Sequence, residues 1–420
     1  MIRVQITPYR VYSSVENNKV KGVNMQNNNI AIGFLTHNHP ETVKEVMNQT
    51  AALYYKYGMD LYFLDDSDDD ATKKIIEDIQ KDYSNVFRVD LVGKVSGGDE
   101  KWFNFVSGKY CGEKKYKYIF PLKDRIIFSE KVIKSISEQV QNEYDVIMVA
   151  NEFDRWEFRF PQLQDVYDSP ELFFYHYGNL TTNWRSMIYK TDTILEKDRL
   201  TKIKKEFNLG EEFPFNQTIT TFAGLADLDN PLVKIIHIWD NRKDIIEYTD
   251  LGARSNWLNN VYDLWAIRWV NAINMLPNIY DEFKALVIKS ETNCSALFGS
   301  TDALMMYKEK NAFTYKEYNE IKNVWYTYSD VPKEEVEMIL NDKITKLVEH
   351  IFEKFEKQIK DGDFEDAFYT FFQNNWLKKA YGPEKYNKIW YKFVTYRFET
   401  LLQGYSNTFD GVKSLDDIIN

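Results

Sequence analysis

Five carboxylates stand within six positions at Asp65-Asp66-Ser67-Asp68-Asp69-Asp70, directly after an apolar run at residues 61–64. A carboxylate just past a strand end can accept two hydrogen bonds from a ribose diol or one from a base N–H. The later acids, Asp69 or Asp70, can also cap a following helix at its positive end. Capping needs only one or two of them. A capped, solvated loop and a nucleoside-binding loop are both compatible with the run, and the excess of acids favours the second.

The elements that must position this cluster are legible around it. Residues 30–35 form an apolar strand that ends in Thr36-His37-Asn38, and Val43, Val46, Met47 and Thr50 then fall on one helical face. The second strand leads into the acids, and another helix starts at Ala71. This βαβα order puts the acids at the carboxyl end of a strand, where open α/β sheets place ligands. Further strands are expected at residues 86–92, from Tyr118 to Lys123-Asp124-Arg125, at 144–149 and at 232–239. Gly97-Gly98 reads as a flexible turn, followed by a helix over 102–110. A helix body is expected at 216–225. Beyond about residue 250 the apolar spacing turns helical, with Leu258, Val261, Trp265, Trp269, Ala272 and Leu276 on one face. Pro277 breaks that helix, a longer apolar stripe runs from Val336 to Ile359, and Asp361-Gly362-Asp363 ends it. The expected organisation is an arm at 1–28, Asn-rich at its end, an α/β domain at 29–248 and an all-helical domain at 249–420. Met25 is an alternative start.

The pattern of strand, Thr36-x-Asn38, helix, strand and Asp65-Asp66-Ser67, with Asp68 or Asp69 and then Thr72, resembles the beginning of family 2 glycosyltransferases of the GT-A fold. The order of parts matches over about residues 28–240, half of the chain. The resemblance implies a Rossmann-like mixed sheet flanked by helices, and transfer of a sugar from a nucleotide-sugar, a UDP-sugar, with inversion. By the same resemblance Thr36 and Asp66 hold uracil and ribose, with Asn38, Asp65 and Asp124 in the donor site, and Lys123 and Arg125 join it as cations beside Asp124. The family's D-x-D motif falls on Leu122-Lys123-Asp124, where only the second acid is present. Asp124 with diphosphate oxygens can hold Mn²⁺ or Mg²⁺, while Lys123 and Arg125 can neutralise diphosphate directly. His237 is implied as a further metal ligand, although a lone His in an apolar strand is more often a core residue. Leu209-Gly210-Glu211-Glu212-Phe213 resembles the segment that carries the general base. Glu212 takes that position, and Glu211 joins Trp184 on the acceptor side. The base must lie within hydrogen-bond reach of the acceptor hydroxyl.

Composition narrows the alternatives. A net charge of −11 argues against a general nucleic-acid binder. Two cysteines, Cys111 and Cys294, make neither a disulfide framework nor a metal-ligand spacing. No apolar run reaches membrane-spanning length and no basic leader opens the chain, so the expectation is a cytoplasmic protein, peripheral at most at the inner face of the membrane. The Asn-, Lys-, Ile- and Tyr-rich usage fits an AT-rich bacterial genome, hence surface-polysaccharide or glycoprotein glycan assembly. Partners are then the nucleotide-sugar and a glycan, glycoprotein or glycolipid acceptor, with a protein partner or second copy through the helical part. The rival is a non-catalytic GT-A-like scaffold or partner-binding subunit of a glycosylation complex. A sugar nucleotidylyltransferase ranks lower, because Thr36-His37-Asn38-His39-Pro40 is not a Gly-rich basic loop.

Overall fold

The computed structural model describes residues 29–91, 97–151, 164–209, 215–239, 243–247 and 263–290, with scattered helical positions between 322 and 367. The arm at 1–28, the segment 151–159 for the most part, Glu211 and Glu212, and most of 291–420 lie outside the described residues.

Eight strands make one sheet. They are β1 (Ile30–Thr36), β2 (Asp60–Asp65), β3 (Val86–Asp90), β4 (Tyr118–Lys123), β6 (Val146–Asn151), β7 (Val166–Tyr167), β8 (Met187–Lys190) and β9 (Val233–Ile238), in the order β3-β2-β1-β4-β8-β6-β9-β7. β8 runs antiparallel to β4 and β6, β7 runs antiparallel to β9, and the other pairings are parallel. A small antiparallel pair, β5 (Ile126–Phe128) with β10 (Ile245–Glu247), lies beyond β4. The mixed α/β class expected from sequence is therefore present.

The sheet is buried on both faces, which explains why β1, β2 and β4 are continuously apolar rather than alternating. Successive residues still feed opposite cores: Ile30, Ile32 and Phe34 enter one and Ala31 the other. The first core is closed by α1 (Pro40–Lys56), whose Val43, Val46, Met47 and Thr50 are all buried as the spacing predicts, by Ile76 of α2 (Ala71–Asp82), and by α4 (Glu130–Gln139). The second core is closed by α3 (Gly97–Val106), α5 (Pro170–Tyr177), α6 (Lys197–Glu206) and α7 (Asn216–Ala226). The Phe105 ring of α3 occupies the space that a Cβ at Gly33 of β1 would need, so glycine there permits the close approach of helix to sheet.

Helical residues after 262 join this second core. A π-helical turn (Asp263–Arg268) leads into α8 (Trp269–Met275), and α9 (Asp281–Ser290) follows a 3₁₀ turn after Pro277. Phe215 packs on both Trp265 and Trp269, with ring centroids 5.2 and 5.0 Å apart. The Tyr280 hydroxyl donates to the Phe222 carbonyl at 2.8 Å. Near the far end, Gly362 takes φ of 79° just after the helical residue Lys360, the glycine stop that its sequence suggests.

One expectation is corrected. Gly97-Gly98 is not a turn before a helix at 102; it is the first turn of α3, which ends at Val106. The reason is tertiary. The six-membered edge of the Trp184 indole fills the space where a Cβ at Gly98 would lie, so the glycine marks a close contact rather than a break.

Candidate active site at the carboxyl edge of the sheet

β1 lies between β2 and β4, and the chain leaves it toward β2 and β3 on one side before β4 is added on the other. The carboxyl ends of β1 and β4 thus flank a topological switch point, where a doubly wound sheet opens a crevice. Thr36 to His39 and Lys123 to Arg125 line its two sides.

The structure sorts the acidic run into separate jobs. Asp65 is buried and accepts from Arg88 Nε at 3.1 Å and from the Ser67 N–H at 3.1 Å. Arg88 also donates to Asp90 at 3.1 Å, so Asp65 ties β2 to β3. Asp68 accepts from Asn38 Nδ2 at 2.6 Å, and its own N–H donates to Asn38 Oδ1 at 2.8 Å. Asn38 is left-handed, with φ of 55°, a conformation Asn tolerates better than most residues. Its N–H donates to Ser67 Oγ at 2.9 Å, and Ser67 in turn meets Thr72 Oγ1 at 3.1 Å. Asn38 is thus the clasp between the β1 and β2 loops. Asp69 accepts from the Ala71 N–H at 2.9 Å, the first N–H of α2, while Asp70 at the N-cap stays exposed, 3.8 Å from Lys73.

Asp66 remains, and it is the one that faces the switch point with company. Its side chain is 6% exposed. Oδ1 contacts the Lys101 ammonium and lies 3.0 Å from His37 Nδ1. Lys101 comes from α3, is itself buried, and also donates to the Thr36 carbonyl at 2.9 Å. The ammonium therefore fixes the end of β1 against the acid of β2. The Thr36 hydroxyl is buried and has no hydrogen-bond partner among the described residues.

On the β4 side Asp124 is buried, and His39 Nδ1 lies 3.3 Å from its Oδ2. This contact bridges the crevice from β1 to β4. Lys123 and Arg125, on either side of Asp124, are partly buried. His237 is not brought to this carboxylate. It sits in β9, three strand spacings from β4 across the sheet, roughly 14 Å. There it meets Asp165 at 3.3 Å and stacks on Trp239. Among the described residues no group of three or more His, Cys, Asp and Glu converges as a metal cage.

The third wall is α3. Trp184, a candidate acceptor residue, lies against Gly98 at its start. Asn216, the first residue of α7, donates to Asp99 Oδ1 at 3.3 Å. Burial pushes the Asp99 carboxyl up to about 7, against the opposing pull of the Arg268 charge. Since α7 leads into β9, which runs parallel to β4 through β6, its first turn stands at the carboxyl edge of the sheet.

Lys101 and Asp99 were not singled out from sequence. Lys101 and Asp99 belong to a helix whose first turn was read as a loop. The available signal was Gly97-Gly98 followed by two acids, Asp99 and Glu100, the charge pattern of a helix start.

No protein-family model matches this chain, and no curated protein matches it in sequence. Among solved structures it is similar to a mannosyltransferase from Pyrobaculum calidifontis in complex with GDP-Man and Mn²⁺, at 8% identity and a TM-score of 0.39, over 68% of this chain and 82% of that one. It is also similar to mannosyl-3-phosphoglycerate synthase from Rubrobacter xylanophilus (12%, TM-score 0.34, 59% and 76% covered). A third is glucosyl-3-phosphoglycerate synthase from Mycobacterium tuberculosis in complex with phosphoglyceric acid (10%, TM-score 0.33, 60% and 81% covered). Identities of 8–12% and TM-scores below 0.5 make these likenesses too remote to assign an activity. Among the described residues no helix is long and apolar enough to cross a membrane.

Proposed function

We propose that this chain is a glycosyltransferase that moves a sugar from a nucleotide-sugar, a UDP-sugar, to a hydroxyl of a glycan acceptor with inversion. The observation that carries the reading is the convergence of Thr36, Asp66 and Lys101 on one side of the switch point with Asp124 and His39 on the other. The motif resemblance over the same residues supports it.

Asp66 presents its carboxylate at the strand end with both side-chain bonds on Oδ1, and Oδ2 is the atom offered to a ribose hydroxyl or base N–H. The Thr36 hydroxyl, buried without a partner among the described residues, supplies a second polar contact for the base. Lys101 holds Asp66 in place. Asp124 and His39 are too few to cage a divalent cation alone, but they suffice for one shared with diphosphate oxygens. They would hold Mn²⁺ or Mg²⁺, which would supply charge neutralisation for the leaving diphosphate. Lys123 and Arg125 neutralise the same charge. Glu212, four residues before Asn216, is the proposed base that takes the acceptor proton. Glu211 and Trp184 are proposed to orient the acceptor.

The test is release of free nucleotide from a panel of UDP-, GDP-, CMP- and TDP-sugars, with Mn²⁺ and with EDTA. Turnover of one donor is expected, lost in Asp66→Ala and reduced at least ~100-fold in Glu212→Gln, the scale of a missing general base. Failure of the wild-type chain to bind any of these nucleotides would instead favour the non-catalytic scaffold.

A further inference from the structure

Two residues before Lys101, α3 enters a second polar cluster that the nucleotide site does not use. Asp99 lies in the first turn of α3, and Asn216 opens α7 and is fully buried. The Asn216 amide donates to Asp99 through Nδ2, while its Oδ1 has no hydrogen-bond partner among the described residues. A buried carboxamide oxygen left unpaired costs on the order of 1–3 kcal/mol, so a native chain that keeps one has a reason for it. The amide is not there by slack packing. Phe215, one residue earlier, is wedged between Trp265 and Trp269, which anchors the first turn of α7 against the π-helical turn. That turn carries Arg268, whose charge acts on Asp99. π-Helical turns concentrate at functional sites. Gly98, beside Asp99, admits the Trp184 ring edge.

The missing partner must donate to Asn216 Oδ1 and can also bond Asp99. A hydroxyl does both, since it donates one hydrogen bond and accepts two. We propose that Asp99 and Asn216 form the subsite that reads hydroxyls of the donor sugar, with Trp184 beside them. This rests on the transferase reading. Asp99 and Lys101 stand two residues apart at the start of α3, about 3 Å along its axis and on opposite faces, so the subsite and the Asp66–Lys101 pair flank the same end of one helix. Burial raises the Asp99 carboxyl to about 7, so near neutral pH it is present both as an acid that can donate to a sugar oxygen and as a carboxylate that accepts.

The experiment separates the sugar from the nucleotide. Calorimetry on the full chain compares a free nucleoside diphosphate with its tightest-binding sugar conjugate, and with the conjugate's deoxy analogues. In the wild type the sugar adds affinity, and one deoxy analogue loses at least ~10-fold, as expected for a site whose buried polar groups go unpaired. Asp99→Ala and Asn216→Leu are expected to bind the free nucleotide within about twofold of wild type, which also shows that they fold, and to lose the preference for the hydroxylated sugar. Asp99→Asn keeps a bond to residue 216 and tests the same loss with the least disturbance. The proposal is overturned if all three variants keep the deoxy discrimination while binding nucleotide normally. If the wild-type chain binds no nucleotide at all, both this inference and the transferase reading fall. Nucleotide binding with unchanged sugar discrimination sinks only the subsite.

Discussion

The two sides of the crevice are built on opposite principles. At the ends of β1 and β2, Asp65, Asp66 and Asp68 are each matched: to Arg88, to Lys101 and His37, and to Asn38. At the start of α3 and α7, Asp99 is half-buried, with an amide and the Arg268 charge beside it among the described residues, and Asn216 Oδ1 is unmatched among them. The first arrangement is preorganised before any ligand arrives. The second stores a local cost that a ligand with hydroxyls can relieve. A cleft built this way holds the constant part of a ligand rigidly and leaves discrimination to the part whose satisfaction depends on the right hydroxyls.

The sharpest way to break the comparison is to unmatch the matched side. Lys101→Met removes the ammonium that sits between Asp66 and the Thr36 carbonyl and strands a carboxylate whose side chain is 6% exposed. Removing one partner of a buried pair costs ~3–5 kcal/mol. Urea unfolding should show that loss in the midpoint with little change in slope. An Asp66→Asn, Lys101→Met double variant should recover part of it, because the stranded charge is gone. If Lys101→Met alone costs less than ~1 kcal/mol, the β side is not held by this pair.

That prediction turns on a contact the sequence could not display. Lys101 and Asp66 are 35 residues apart, and His39 and Asp124 are 85 apart. The strands and α1 were legible because burial on both sheet faces leaves unbroken apolar runs and burial on one helix face leaves a 3.6-residue period. The acidic run was legible as unusual, but its division of labour was not. Which carboxylate binds Arg88, which clasps Asn38 and which accepts from the first N–H of α2 depends on neighbours brought in by the fold. Gly97-Gly98 misled for a related reason: glycine signals both a turn and a tight contact, and only the Trp184 ring decides between them. The position of His237 depends on topology as well: two strands, β8 and β6, lie between its strand and the one that leads to Asp124.

The unmatched side makes a pH prediction of the next size. An unfolded aspartate releases its proton near 3.8, whereas burial holds the Asp99 proton until about 7. The folded state therefore binds more protons than the unfolded state between those values, and stability falls as pH rises through that window. Its contribution is complete below about pH 4 and lost once the pH has passed 7, a change on the order of 2–4 kcal/mol. Asp99→Asn cannot ionise. Relative to wild type it should gain stability steadily from about pH 4 to about pH 7 and then level off, measured as the difference in urea midpoints. Parallel curves for the two chains across that range would show that Asp99 titrates like an exposed acid and that the two sides do not differ in this way.

The smallest effect tests the clasp between the β1 and β2 loops, and two substitutions at one position divide it. Asn38 combines a left-handed backbone with side-chain bonds to Asp68. Asn38→Gly keeps the φ of 55° at no steric cost but removes the bonds to Asp68, while Asn38→Ala loses both. The bonds are partly solvent-exposed, so their loss should cost ~0.5–1 kcal/mol, and the backbone strain of alanine should add ~1 kcal/mol. Global unfolding should therefore change little in Asn38→Gly. Nucleotide affinity should fall several-fold in both variants, because Asn38 holds the Asp68 loop against the loop that carries His37, and His37 contacts Asp66. Equal nucleotide affinity in wild type and both variants would mean that Asp66 is positioned by Lys101 alone. The preorganisation of the β side would then reside in one ion pair rather than in the joined loops.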